Sequence, residues 1–135
     1  MSITITKIKL GKFFPYDGSW NPRGDYAGGF DICIGFKNNS NKTIKYIKFV
    51  VTAYNTVGDP AICEVSNTAT QRLRFVGPLE SQENTNPIWD TAWYNHALST
   101  AKIEKIEIEY MDGSIEEQTT GLEVSKKRSW SWFGS

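Results

Sequence analysis

The run Ile44-Lys45-Tyr46-Ile47-Lys48-Phe49-Val50-Val51-Thr52-Ala53-Tyr54 is the longest uninterrupted stretch of strand-favouring side chains in the sequence. β-Branched and aromatic groups recur at nearly every step, and no Gly or Pro breaks a hydrogen-bonded ladder there. Lys42, Lys45 and Lys48 leave its first half partly exposed, whereas Phe49 to Tyr54 reads as covered on both faces. Such a segment is at home in the middle of an antiparallel sandwich.

The flanking sequence agrees. Phe30, Ile32, Ile34 and Phe36 alternate with Asp31, Cys33, Gly35 and Lys37, the period of a strand with one buried face. Ile3, Ile5, Ile8 and Leu10 give a first strand with a slip of phase between Ile5 and Ile8, as a bulge produces, and Gly11 is expected to end it. Asn38 to Lys42 is a polar turn that permits a hairpin or a crossing between sheets. Ala61 to Val65 is expected as a short strand and Thr70 to Val76 as a firmer one, stopped by Gly77-Pro78. Glu80 to Asp90 reads as irregular, with a helical turn conceivable around Trp93, Tyr94 and His96. Asp112-Gly113 between Ile103–Tyr110 and Ile115–Thr120 is the signature of a tight hairpin. The fold expected is an all-β, immunoglobulin-like antiparallel β-sandwich of about seven strands, with a calyx or jelly roll as the alternative. A long aromatic-rich loop over residues 13–29 carries turns at Asp17-Gly18 and Asn21-Pro22.

At 135 residues the chain suits one core and is short for two ordinary domains. The expected division is a single sandwich over 1–125 and a basic, then aromatic, tail over 126–135. Fifteen Lys plus Arg balance fifteen Asp plus Glu, so no global field favours nucleic acid or an anionic membrane. The first residues lack a basic segment followed by an apolar run, which favours a cytoplasmic location, although a removed leader fits equally well. No apolar window reaches the length of a membrane span, so no stable membrane insertion is expected. Cys33 has the opposite parity from the core positions of its strand, and two free thiols are expected at Cys33 and Cys63. Asn38-Asn39-Ser40 and Asn41-Lys42-Thr43 match the glycosylation acceptor, which matters only in a secreted eukaryotic chain.

Reactive constellations are sparse. The single histidine, His96, lies in Trp-Tyr-Asn-His-Ala, and its ordinary reading is structural. No close His/Cys pair points to a metal, the acids of the loops lack calcium-loop periodicity, and Gly28-Gly29 leads into a strand instead of a phosphate-binding helix. No cofactor and no enzymatic activity are therefore expected. Arg23-Gly24-Asp25 is the tripeptide some adhesion proteins display, and its use would need both charges at an exposed tip.

Surplus aromatics remain. The candidate partner-binding residues are Tyr16, Trp20, Arg23, Asp25 and Tyr26 in the loop, Trp89 beyond it, and Trp130 and Trp132 in the tail. Rings of this kind line peptide or carbohydrate grooves. They also cap sandwich cores, where each large ring removed from water is worth roughly 1.5–3 kcal/mol. Lys126 to Arg128 would add only about 1 kcal/mol each at an anionic surface, too little for attachment alone.

The order Asn38-Asn39-Ser40-Asn41-Lys42-Thr43, Tyr54-Asn55, Gly77-Pro78, Trp93-Tyr94-Asn95 and Ile106-Glu107-Ile108-Glu109-Tyr110-Met111-Asp112-Gly113 resembles a group of bacterial accessory domains of unknown function. The likeness spans residues 29–118. It implies an immunoglobulin-like sandwich and carries over no catalytic residue. Asn55 and Asn95, each after a large ring, are expected to fix turns through their side-chain amides. The function expected is a non-enzymatic binding or assembly module with a protein partner, and with self-association through edge strands or the tail as a further route. The alternatives are a carbohydrate-binding module using Trp20, Tyr26 and Trp89, and a small enzyme centred on His96.

Overall fold

The structure is a computed structural model that describes residues 2–125 and the backbone of 130–131. In chain order the strands are β1 (Ile3–Phe14), β2 (Ser19–Asn21), β3 (Gly29–Asn38), β4 (Ile44–Asn55), β5 (Thr70–Leu79), β6 (Asn84–Thr85), β7 (Ile88–Tyr94), β8 (Leu98–Tyr110), β9 (Ile115–Thr119), β10 (Glu123–Ser125) and β11 (Trp130–Ser131). Among the described residues there is no helix. One antiparallel sheet runs β11-β1-β3-β6, with β2 on β1 and β7 on β3. The other runs β10-β8-β4-β5, with β9 on β8. The protein is an all-β sandwich of two packed sheets.

Alternation builds the interior. Phe30, Ile32, Ile34 and Phe36 are all fully buried, and they face Ile47, Phe49 and Val51 of the central strand β4. Phe36 lies 5.1 Å from Phe49 and edge-on to Phe75 at 5.2 Å, so three rings from both sheets meet at the middle. The expected phase slip in β1 is a register shift between Ile5 and Lys7. The turn after β3 crosses between sheets, and the wholly buried Asn38 organises it. Its amide donates to the carbonyls of Lys42 (2.8 Å) and Leu79 (3.1 Å), and its oxygen accepts from Ser40 N–H at 3.0 Å. At the sheet edge the buried Gln118 offers its amide to the backbone of Ile3 in both senses, joining β9 to β1.

Several boundaries differ from the sequence reading. Gly11 does not end β1; the strand there exchanges one partner, β3, for another, β2, with the Asn21 carbonyl and Trp20 indole lying where a Cβ would stand. The expected loop over 13–29 therefore begins as a small hairpin. Gly77-Pro78 does not stop β5, because this edge strand pairs only with β4 and can accommodate a residue without N–H. Residues 61–65 form no strand; the Ala61 N–H bonds to Ala53 of β4, Cys63 to Thr68 in the following turn and Glu64 to Tyr94. The helical turn conceived around Trp93 is absent, since β7 is extended to Tyr94. The Asp-Gly hairpin joins β8 and β9 as expected, with Glu107 and Glu109 on the face opposite Ile106, Ile108 and Tyr110.

Candidate functional site

Residues 13–28 stand at one end of the sandwich and are fastened by their own polar side chains. The turn after β1 closes with Gly18 N–H on the Phe14 carbonyl at 2.9 Å, and Asp17 accepts Ser19 N–H at 2.9 Å. Ser19, through its hydroxyl and N–H, holds the Asp17 carboxyl below its ordinary value. Asn21 accepts Arg23 N–H at 3.0 Å and donates to the Gly24 carbonyl at 3.2 Å. Asp25 accepts from Ala27 (2.9 Å) and Gly29 (2.7 Å), which turns its carboxylate back into its own loop while Arg23 is exposed. The two charges of Arg23-Gly24-Asp25 are thus not displayed together.

On this frame Tyr16 and Tyr26 are fully exposed, each at 103%. Trp20 is half-buried, tilted against Phe13 at 5.9 Å with Lys9 Nζ over its ring at 5.5 Å. Its indole N–H is enclosed without an acceptor among the described residues. His96 Nε2 donates to the Tyr26 carbonyl at 2.9 Å, so the imidazole staples the loop. Next to it Asn95 receives Ala97 N–H and donates to the Ile62 carbonyl, both at 2.8 Å, while its N–H bonds to Gly28. Asn55 fixes its turn in the same manner, through Val57 and Asp59. Both amides occupy the role read from the sequence.

Beneath the loop lies a residue whose structural role the sequence did not give. Asp31 has no exposed surface and accepts from Phe13 N–H (3.0 Å), Thr91 N–H (2.7 Å) and Lys12 Nζ (3.3 Å). Burial would lower the Lys12 ammonium, but the charge and hydrogen bond of Asp31, aided by Asp90, raise it. A buried carboxylate with this many partners is structural cement for β1, β3 and β7. It sits at an outward position of an alternating strand, where an acid normally signals solvent.

The tryptophans of β7 are packing groups. Trp93 is completely buried and gives its indole N–H to the Ala69 carbonyl at 3.0 Å. Trp89 is half-buried, edge-on to Phe49 at 5.7 Å, with its N–H on the Arg74 carbonyl at 3.0 Å. Trp89 thus ties β7 to β5, and Trp93 ties it to the residue just before β5, whose carbonyl also accepts the Ala53 N–H of β4. The backbone of Trp130 pairs with Ile8 in β11; its side chain, Trp132 and the basic stretch Lys126 to Arg128 lie outside the described residues.

Both cysteines are buried and free. Burial raises the Cys33 thiol despite Lys7 and Lys9. Burial also acts to raise Cys63, but the Ser66 hydroxyl and the N–H groups of Ser66, Tyr94 and Val65 outweigh it and bring that thiol below its ordinary value. The Tyr94 N–H is 3.3 Å from the sulfur.

A second surface, also missed from sequence, covers the outer face of β5-β4-β8-β9. A shallow depression of about 430 Å³ there is lined by Tyr46, Lys48, Arg74, Glu107, Glu109 and Ile115, with Ile47 and Ile108 at its floor. The Arg74 guanidinium stacks on Tyr46 at 4.2 Å. Ion pairs join Arg72 to Glu107 (3.1 Å), Lys105 to Glu117 (3.4 Å) and Lys45 to Glu109 (3.8 Å). Such exposed pairs contribute about 0–1 kcal/mol each. The only advance signal was the alternation of charge along each strand.

These features define a β-sandwich with a pinned aromatic loop at one end and a charged, partly apolar sheet face. No protein-family description matches the chain, and no curated protein does. Among solved structures, a hypothetical protein from Peptoclostridium difficile 630 is similar, with a TM-score of 0.51 at 11% identity over 94% of this chain and 95% of that one. A Northeast Structural Genomics Consortium target, SoR45, reaches a TM-score of 0.49 at 7% identity over 90% and 84%. The first likeness is one of fold.

Proposed function

We propose that this chain is a non-enzymatic protein-binding module on an immunoglobulin-like sandwich, related to bacterial accessory domains, whose partner site is the loop bearing Tyr16 and Tyr26. The observation that carries it is the pairing of two fully exposed tyrosines with a backbone held by Asp17, Asn21, Asp25 and His96. A large ring with few rotatable bonds on a fixed loop loses little entropy when it docks, which is how binding loops gain affinity. The immunoglobulin-like reading draws support from the crossing between β3 and β4 and from β4 lying between β5 and β8. The non-enzymatic reading draws support from His96, whose Nε2 is engaged by the Tyr26 carbonyl. Trp89 is committed to packing, which leaves Trp20 and Tyr26 of the trio a carbohydrate site would use.

The test is capture of proteins from the source cells by the full chain and by a Tyr16→Ala/Tyr26→Ala variant, beside a glycan array. A specific protein retained by the parent and lost by the equally stable variant supports the reading. Identical capture by both overturns it, and glycan binding abolished by Trp20→Ala transfers the loop to carbohydrate.

A further inference from the structure

We propose that the outer face of β5-β4-β8-β9 seats a second copy of this chain about a two-fold axis running along the strands between β4 and β8. The strand register carries the argument. Across this face Arg74 stands opposite Lys48, Lys48 opposite Glu107, and Glu107 opposite Glu117. One row therefore reads cation, cation, carboxylate, carboxylate. Like charges directly opposite on neighbouring strands oppose folding, and this row contains two such pairs. Neither Arg74 nor Lys48 has an ion pair among the described residues. The adjacent row reads Val76, Tyr46, Glu109, Ile115, with Val76 61% and Ile115 77% exposed at its ends.

A half-turn about an axis along the strands, in the plane between two such faces, exchanges β5 with β9 and β4 with β8 and keeps each row at its own level. Arg74 then stands over Glu117 of the second copy, Lys48 over its Glu107 and Val76 over its Ile115, and each contact occurs twice. A half-turn about an axis across the strands lays β5 over β5 and cations over cations, so charge selects the first arrangement. Four strands by seven residues give a patch of roughly 450 Å² per copy. That is small for a stable dimer, so the association is concentration-dependent and weakened by salt. The inference goes beyond the loop reading, since none of these residues belongs to 13–28.

The test is sedimentation equilibrium of the full chain over a concentration series at low and high salt. Arg74→Glu and Glu117→Arg are each expected to weaken association about tenfold or more. The double variant and an equimolar mixture of the two single variants are both expected to recover it. Arg74 and Glu117 are three strands, about 14 Å, apart within one chain, so recovery reports a contact between copies. Both side chains are exposed, and a retained cooperative melt of each variant confirms the fold. Tyr16→Ala/Tyr26→Ala is expected to leave the dimer constant unchanged, which separates this outcome from that of the loop reading. A parent chain monomeric at every concentration overturns the proposal. So does a dimer indifferent to both single changes, or one not restored in the double variant and the mixture.

Discussion

Thr91 donates its backbone N–H to the wholly buried carboxylate of Asp31 at 2.7 Å while standing in left-handed backbone at φ 46°. A β-branched residue seldom adopts that conformation. The reason lies in the ladder: Phe30 pairs with Trp93 and Ile32 with Trp89, so two steps on β3 face four on β7. The excess residues bulge, and the carboxylate takes the Thr91 N–H that the bulge releases, beside that of Phe13 from β1.

Removing that acceptor is therefore expensive. Asp31→Asn replaces one accepting oxygen with a donor and uncouples Lys12, and a loss of about 2–4 kcal/mol is expected in denaturant unfolding. Thr91→Gly relieves the backbone instead, and a gain of about 0.5–1 kcal/mol is expected. Equal stability of parent and Asp31→Asn would show that the buried contacts are energetically idle.

Trp93→Ala should cost about 3–5 kcal/mol, because the enclosed ring leaves a cavity and the Ala69 carbonyl loses one of its two donors, keeping the Ala53 N–H. Trp89→Ala, at a half-buried ring, should cost about 1–3 kcal/mol. Thermal or denaturant melts decide both, and a loss below about 1 kcal/mol at Trp93 would place its ring at the surface.

Acid sensitivity has a named source. The Ser114 hydroxyl and N–H, with Lys42, bring the Asp112 carboxyl from an ordinary 3.8 to about 2. The hydroxyls of Tyr110 and Ser2 lower Glu116 as well. Both folded values lie below the unfolded ones, so their stabilisation is complete above the unfolded carboxylate range and disappears as pH falls through the folded values. Melting temperature is expected to drop between about pH 4 and pH 2, and Asp112→Asn with Glu116→Gln should flatten that part of the profile.

The thiols should separate under alkylation. Cys63, whose thiolate is favoured by Ser66 and three N–H groups, is expected to label before Cys33, and Ser66→Ala should slow it. Peptide mass spectrometry after a timed exposure reads both rates; preferential labelling of Cys33 would contradict the assignment.

The legible parts of the fold were those where one side chain follows another without interruption. Phe30 to Phe36 alternates cleanly and is a strand; Asp112-Gly113 prescribes its turn; Asn55 and Asn95 announce the bends they hold. β7 was not legible, because its bulge separates Trp89 from Trp93 by four residues and so imitates the spacing of a helix. The start of β8, Leu98 to Lys102, has little strand character and is ordered by β4 and β10 on either side. Residues 61–65 alternate like a strand yet build no ladder, since Ala61 bonds to β4, Cys63 to Thr68 and Glu64 to Tyr94, three separate directions. The loop was visible in its aromatic content, whereas Asp31 and the Arg74-to-Glu117 row depend on neighbours brought together only by pairing.

The continuity of β1 through Gly11 has a mechanical consequence. Tyr16 follows directly on a strand whose other half is paired from Ile3 to Gly11 against β3. A pull on the tip of that hairpin travels down the backbone as shear along the whole ladder instead of peeling it bond by bond, so a tethered partner would tug against many linkages at once.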